Sequence, residues 1–162
     1  MNYLVFVRHA KSSWKELHQA DHDRPLNQRG LRDAPEMAAR LKATGIKPDL
    51  LVSSSALRAW TTASFFAGAF GMPVQKEPAL YHAAPEVYLD FIHTLSSEIS
   101  SPVFFGHNPG ITQLANLIAP GCMDNIPTCG VILCTLKGPW DEADWHTMTL
   151  MDIMSPKDPV YD

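Results

Sequence analysis

Short buried strands alternate with amphipathic helices along this chain, and this alternation restricts the fold more than any other feature. The first apolar run, residues 3–7, is rich in β-branched and aromatic side chains and predicts a buried strand. Further strands are predicted at residues 50–52, 102–105, 131–136 and 147–153. Because segments with helical periodicity separate most of them, the pattern predicts an α/β fold. We expect a three-layer α/β/α sandwich with a mostly parallel central sheet.

Two helices can be placed from their apolar stripes and end residues. Asn27 can cap a helix that stops at Gly45, and Pro35 inside it predicts a kink or two short helices. The stripe of that helix comprises Leu31, Ala34, Ala38 and Leu41. The stripe of the helix that ends at Gly71 comprises Ala56, Ala59, Trp60, Ala63, Ala67 and Phe70.

Length and composition indicate one globular domain. We assign residues 1–154 to that domain and expect residues 155–162 to form a loose tail. The formal net charge of −4 argues against a general surface for nucleic acid or an anionic membrane. Three cysteines without Cys-x-x-Cys spacing are expected to be small buried hydrophobic residues. The short first apolar run predicts neither a signal peptide nor a membrane span, so we expect a cytoplasmic protein.

Basic residues follow three of the predicted strands. Arg8 and His9 end the first strand, Arg58 follows the second in Ser54-x-x-x-Arg58, and His107 follows the third in a Gly-His-Asn-Pro-Gly segment. The carboxyl ends of parallel strands form one edge of a sheet, where ligands bind. Two arginines and two histidines at that edge favour a metal-free site that binds and transfers a phosphoryl group.

Each of these residues has a role that fits phosphoryl chemistry. Arg8 and Arg58 are candidate clamps, because a guanidinium matches phosphate oxygens in a bidentate way, and we expect Arg58 about one turn into its helix. His9 is the candidate nucleophile, with its second ring nitrogen donating to a carbonyl. His107 is placed to donate to a phosphate oxygen. Asn108 could contribute to phosphate binding, although a turn or cap role is favoured for it.

Four segments together resemble the histidine phosphatase superfamily, which includes the phosphoglycerate mutases. They are residues 8–14 (RHAKSSW), 23–30 (DRPLNQRG), 106–110 (GHNPG) and 127–128 (PT). Within that superfamily the chain is most similar to the small SixA-like phosphohistidine phosphatases, over residues 2–136. The resemblance implies a phosphoglycerate mutase-like fold, a phosphohistidine intermediate at His9, and a pocket of Arg8, Arg58 and His107 without a metal or other cofactor.

The sequence departs from the superfamily pattern at the position of the proton donor. The mutase branch carries a Glu in a Leu-x-Glu loop, and this chain has His82 in the matching Leu80-Tyr81-His82 segment. We therefore expect His82 to protonate the leaving atom, with Glu86 or water next in line. Arg24 is expected to extend the phosphate site. Arg29 could do the same, although a solvated or paired loop arginine is the commoner outcome.

The favoured function is hydrolysis of phosphohistidine on a protein, or of a small phosphorylated substrate. A mutase that moves phosphate between hydroxyl groups is one alternative, and a metal-dependent hydrolase using His9, His82 and His107 is another. A third alternative is a phosphate-recognition module without catalysis, in which His9 has no catalytic role. No nucleic acid or membrane partner is expected.

Overall fold

The structure is a computed structural model that describes residues 1–16 and 18–158. Within this part, the chain forms six strands and four α-helices. The strands are β1 (Asn2–Arg8), β2 (Leu50–Ser53), β3 (Gln75–Lys76), β4 (Pro102–Gly106), β5 (Val131–Leu136) and β6 (Met148–Met154). The helices are α1 (Gln28–Ala43), α2 (Leu57–Phe70), α3 (Pro85–His93) and α4 (Gly110–Ile118).

The six strands form one sheet in the order β3-β2-β4-β1-β5-β6. The first four are mutually parallel, whereas β5 pairs antiparallel with both β1 and β6. The predicted α/β class and the mostly parallel sheet are therefore confirmed. The two-residue strand β3 was not predicted, because both of its residues are exposed and it is too short to show periodicity.

Helices cover both faces of the sheet, which gives the three layers. On one face, α1 and α2 pack against Val5 and Val7 of β1. On the other face, α3 and α4 pack against Leu4 and Phe6. All four of these β1 residues are fully buried, because the strand is central and covered on both sides. This burial explains why the first apolar run is continuous rather than alternating.

Helix α1 begins as predicted and continues through Pro35 without a division. The Asn27 side chain accepts a hydrogen bond from the Gly30 amide at 2.9 Å and caps the helix. Pro35 lies inside one continuous helix from Gln28 to Ala43, so the predicted division into two short helices is wrong. Leu31 is 47% exposed and does not belong to the buried stripe, whereas Met37 does.

The buried face of α2 also differs from the predicted stripe. It comprises Arg58, Ala59, Thr62, Ala63 and Phe66, whereas Trp60, Ala67 and Phe70 are only partly buried. The helix has two environments, because its first turn faces the polar edge of the sheet and its later turns face the apolar layer. A single hydrophobic stripe cannot describe both.

The first part of the predicted loose tail is held in place. The Ser155 carbonyl accepts a hydrogen bond from Arg40 at 2.9 Å, and the Ser155 amide donates to Asp158 at 2.7 Å. Residues 159–162 lie outside the described part of the chain. Among the described helices, none is both long and apolar enough to cross a membrane.

Candidate active site

The sheet topology brings the predicted basic residues to one edge. Arg8, the last residue of β1, is paired with Gly106 at the end of β4, and β2 ends beside β4 at Ser53. The segments after these strands line a pocket of about 220 Å³. Its lining residues are Arg8, His9, Lys11, Ser12, Trp14, Asp21, Arg24, Arg58, His82, His107, Asn108 and Thr128. Seven of the predicted site residues are in this list: Arg8, His9, Arg24, Arg58, His82, His107 and Asn108.

His9 is fixed with one ring nitrogen committed to the backbone. Its Nδ1 lies 2.7 Å from the Ala10 carbonyl oxygen, which can only accept, so Nδ1 carries the proton and Nε2 has the free lone pair. Burial lowers the pKa of His9 to about 3, and the charges of Arg58, Arg8 and Arg24 act in the same direction. The imidazole is therefore neutral near pH 7, as a nucleophile requires.

His107 lies beside His9, with ring centroids 5.2 Å apart. Its Nε2 is 2.8 Å from the Ser54 hydroxyl, and its buried Nδ1 has no partner among the described residues. Burial lowers the pKa of His107 to about 2, with the neighbouring His9 as the next cause. Ser54 was noted in the sequence only as the start of the Arg58 motif, and the structure shows that it orients His107.

Arg8 and Arg58 both keep donor groups that the protein leaves unpaired. Arg8 donates through NH1 to the Ile126 carbonyl at 2.9 Å, while Arg58 donates through NH1 and NH2 to Asp21. The Nε atom of each arginine is buried without a partner among the described residues. Burial and the charge of Arg58 lower the pKa of Arg8, although a guanidinium remains protonated.

Arg58 is nearer the start of its helix than predicted. It is the second residue of α2, and its side chain is 2% exposed. Thr62, one turn later, donates to the Arg58 carbonyl at 2.7 Å and accepts from the Ala10 amide at 3.0 Å. Thr62 therefore joins the segment after β1 to α2, rather than contacting the Arg58 guanidinium.

Asp21 is one of the site residues that the sequence analysis missed. One carboxylate oxygen, Oδ2, accepts from Tyr81 Oη at 2.5 Å, from Arg58 at 3.0 Å, and is 3.0 Å from His82 Nε2. The other, Oδ1, accepts from Arg24 at 3.1 Å. Desolvation opposes ionisation, but the hydrogen bonds from Tyr81 and Arg58 hold the pKa of Asp21 well below its usual range.

Asp21 could not be found from periodicity because it lies in a loop. It opens a 3-10 turn, Asp21–Asp23, and its partners are up to 61 residues away in sequence. Its spacing of three residues before Arg24 is the one local signal, since the two side chains form an ion pair.

Of the remaining predicted residues, Arg24 and Asn108 line the pocket and Arg29 does not. Arg24 is 7% exposed and donates to the Ser12 hydroxyl at 2.9 Å. Arg29 instead pairs with Asp33 on α1 at 3.5 Å, which is the paired outcome favoured for it, and does not line the pocket. The Asn108 side chain accepts from the Thr112 amide at 3.1 Å, which is the favoured cap role.

His82 is brought into the pocket by a left-handed backbone conformation, with φ of 51°. Its ring centroid is 5.3 Å from that of His107, and its side chain is 51% exposed. Glu86, the second candidate proton donor, lines a neighbouring groove with Gln113 and not this pocket. Within residues 1–16 and 18–158, no group of three or more His, Cys, Asp or Glu side chains could hold a metal ion.

Comparison with known proteins agrees with this fold. The sequence profile of the histidine phosphatase superfamily (branch 1) matches residues 4–84. An uncharacterised chloroplastic protein of Arabidopsis thaliana is 33% identical over 152 residues, which cover 86% of this chain and 69% of that protein. The chain therefore belongs to the histidine phosphatase superfamily.

Solved structures narrow the likeness within that superfamily. A candidate phosphohistidine phosphatase SixA from Agrobacterium tumefaciens is 27% identical, covers 96% of this chain and 98% of its own, and superposes with a TM-score of 0.82. The protein histidine phosphatase SixA complexed with tungstate has the same fold at 21% identity, with a TM-score of 0.80 over 95% of this chain and 97% of its own. The chain is SixA-like in fold.

A mutase is similar over only part of this chain. The 2,3-bisphosphoglycerate-dependent phosphoglycerate mutase of Xanthobacter autotrophicus is 35% identical over 82 residues, which cover 48% of this chain and 40% of that enzyme. The similarity thus covers about half of this chain, whereas the SixA-like structures match nearly all of it.

Proposed function

We propose that this protein is a metal-independent phosphatase that hydrolyses phosphohistidine on a protein through a covalent phosphohistidine intermediate at His9. The observation that carries the proposal is a neutral imidazole whose Nδ1 is fixed by Ala10 at 2.7 Å, in a pocket with two arginines that keep unpaired Nε donors. The SixA name of the Agrobacterium tumefaciens relative supports phosphohistidine as the substrate.

In the first step, the Nε2 lone pair of His9 forms a bond to phosphorus. The bond from phosphorus to the leaving nitrogen or oxygen breaks, and its electron pair goes to the leaving atom. Arg8, Arg58 and His107 donate to the phosphoryl oxygens, on which negative charge is spread in the transition state. To donate to a phosphoryl oxygen, His107 must use a ring nitrogen that carries hydrogen. In the tautomer protonated on Nδ1, that nitrogen is the donor, and Nε2 accepts a hydrogen bond from the Ser54 hydroxyl.

Proton transfer to the leaving atom completes that step. His82 is the proposed donor, because it lines the pocket and its Nε2 is 3.0 Å from the ionised Asp21 carboxylate. That contact orients the imidazole, so that its other ring nitrogen is left to deliver a proton to the leaving atom. In the second step, water attacks phosphorus and gives a proton back to His82, while the bond from phosphorus to His9 breaks and its electron pair returns to Nε2. Inorganic phosphate then leaves.

Two further features of the described residues bear on the proposal. Arg8 and Arg58 would repel a cation in the pocket, which disfavours a metal-bound water as the nucleophile. Cys122, Cys129 and Cys134 are all free, which is typical of a reducing compartment and supports the cytoplasm as the location.

Trapping the intermediate tests the proposal directly. Rapid quench with a labelled phosphohistidine peptide is expected to give an acid-labile, base-stable adduct on His9. His9→Ala is expected to lose turnover and label, whereas His146→Ala, a control at an exposed histidine outside the pocket, keeps both. Label at another residue, or full activity in His9→Ala, would contradict the assignment.

The same preparation separates the alternatives. Turnover that survives exhaustive chelation supports the metal-independent route, and loss of turnover supports a metal-dependent hydrolase. Phosphate transfer between hydroxyl groups of a sugar acid, faster than release of inorganic phosphate, would indicate a mutase. Tight phosphate binding without any turnover would indicate a recognition module.

A further inference from the structure

Trp14 is a large aromatic side chain left in solvent at the rim of the catalytic pocket. It lines the pocket with His9 and is 69% exposed. A soluble protein gains little from leaving an indole in water, although single exposed hydrophobic residues are common. Its position at this particular pocket makes the exposure informative.

One face of the indole is already covered. The Arg24 guanidinium lies 3.5 Å from the ring centroid, which is a cation–π contact. Arg24 is itself held by the Ser12 hydroxyl at 2.9 Å and by Asp21 at 3.1 Å. The guanidinium therefore holds one face of the ring, and the high exposure of Trp14 leaves the rest of the indole available.

The backbone on which Trp14 sits is also anchored. The Ser13 amide donates to the Pro25 carbonyl at 2.8 Å, and Ser12 forms an antiparallel bridge with Leu26. An aromatic surface that is fixed before a ligand arrives binds a planar group with little loss of conformational freedom.

The other groups at the rim suit a ring that carries positive charge. Asp21 and His82 both line the pocket, with side chains 41% and 51% exposed. Asp21 is ionised, because Tyr81 and Arg58 donate to it. An imidazole leaving group becomes a planar cation once it is protonated, and both an indole face and a carboxylate attract such a group.

We propose that Trp14 forms a stacking subsite for the planar ring of the leaving group, so that the pocket selects substrates whose phosphoryl group is attached to or near an aromatic ring such as imidazole. The inference rests on the proposed function and adds the part of the substrate that lies outside the phosphate site. Arg8 and Arg58 bind the phosphoryl group, and Trp14 binds the ring of the leaving group.

Two substrates with the same bond but different leaving groups test this subsite. Both phosphoramidate and the free amino acid Nτ-phosphohistidine have a phosphorus–nitrogen bond, but the first releases ammonia and the second releases an imidazole. The measured quantity is the ratio of kcat/KM for phosphohistidine to kcat/KM for phosphoramidate. Trp14→Ala is expected to lower this ratio about 2- to 10-fold, the range of an aromatic stacking pair, mainly through KM for phosphohistidine.

Two variants serve as controls. Trp14→Phe is expected to keep most of the ratio, because a phenyl ring still stacks. Trp60→Ala, at the other tryptophan that stacks with a cation, is expected to leave the ratio unchanged, because Trp60 does not line the pocket.

The outcomes separate the two proposals. If Trp14→Ala lowers kcat/KM for both substrates equally, Trp14 only supports Arg24 and the stacking inference is wrong. An unchanged ratio with unchanged rates also contradicts it. If wild-type protein turns over neither substrate, or if His9→Ala turns over both, the proposed function itself fails.

Discussion

Arg58 shows how one buried side chain can bind both a carbonyl and a carboxylate of the same residue. Its NH1 and NH2 groups donate to the Asp21 carbonyl at 2.7 Å and to the Asp21 carboxylate at 3.0 Å, and its Nε has no partner among the described residues. Lysine carries the same charge but has one nitrogen and no fixed fork. The arrangement thus depends on the guanidinium and not only on its charge.

We therefore expect Arg58→Lys to lower kcat/KM by about a hundredfold, as the loss of one oriented transition-state donor does. Arg8→Ala is expected to have an effect of similar size. Steady-state kinetics of folded protein check both, with Arg32→Lys as a control at a 69% exposed side chain outside the pocket. A collapse of the melting temperature with normal activity per folded molecule would make these arginines structural.

Asp21 is the residue through which Arg24, Arg58, Tyr81 and His82 are held together. Asp21→Asn keeps the size of the side chain but removes the charge and half of the acceptor capacity. We expect kcat to fall about tenfold or more, as the loss of general acid–base help would produce, with a smaller change in KM. Asp23→Asn, in the same turn but 69% exposed, is the matched control. Equal effects of the two substitutions would exclude a positioning role for Asp21.

His82 can be tested through the leaving group. If it donates the proton, His82→Ala should slow alkyl phosphates, whose leaving groups are poor, much more than aryl phosphates with good leaving groups. Its half-exposed ring makes a large loss of stability unexpected, so the two rates can be compared directly. An equal and small effect on both classes would leave water as the donor.

At the scale of elements, helix α1 is positioned by a close approach of two backbones. A Cβ atom built on Gly30 would lie 2.2 Å from the Lys11 carbonyl oxygen, which also accepts from the Asn27 amide at 2.9 Å. The segment after β1, which carries Lys11, Ser12 and Trp14 to the pocket, is thus packed against the first turn of α1. This close approach explains why the last residue of the 23–30 motif is a glycine, which has no Cβ atom.

We expect Gly30→Ala to lower the free energy of unfolding by about 1–3 kcal/mol, because the backbones must separate. It should also lower activity, since the displaced segment lines the pocket. Gly68→Ala is the matched control, because Gly68 lies inside α2 with nothing within 4 Å of the new Cβ. That change is expected to stabilise the protein by about 0.5–1 kcal/mol. Denaturant unfolding measures both, and a neutral Gly30→Ala would contradict the packing argument.

At the scale of the whole molecule, the site makes stability depend on pH. Burial lowers the pKa of His9 to about 3 and that of His107 to about 2, whereas an unfolded histidine titrates near its ordinary value of 6.5. Between those values the unfolded chain binds protons that the folded protein does not, so stability falls as the pH falls.

Lowering the pH from 7 to 5 is therefore expected to reduce the free energy of unfolding by about 2 kcal/mol for each of the two histidines. His107→Asn should remove about half of this dependence, since one of the two groups is lost. Urea unfolding at several pH values provides the measurement. A flat profile between pH 7 and 5 would show that the two imidazoles are not kept neutral by the fold.

The sequence by itself determined the layers of the fold and the place of the site. Continuous apolar runs predict central strands, and parallel strands bring their carboxyl ends to one edge, so Arg8, His9, Arg58 and His107 could be placed together without coordinates. The Asn27 cap could also be predicted from the sequence, because its partner, the Gly30 amide, is only three residues away. Each of these depends on periodicity, topology or near neighbours.

The tertiary structure alone decided how the site is completed. Asp21 meets Arg58 and Tyr81 across 37 and 60 residues of sequence, and Arg29, which has the same charge as Arg24, is turned away to Asp33. Pro35 is accommodated inside one continuous helix, although the local rule favours a break. The physical reason is the same in each case: the partner of a polar or constrained residue is chosen by packing between distant segments, on which local sequence carries no information.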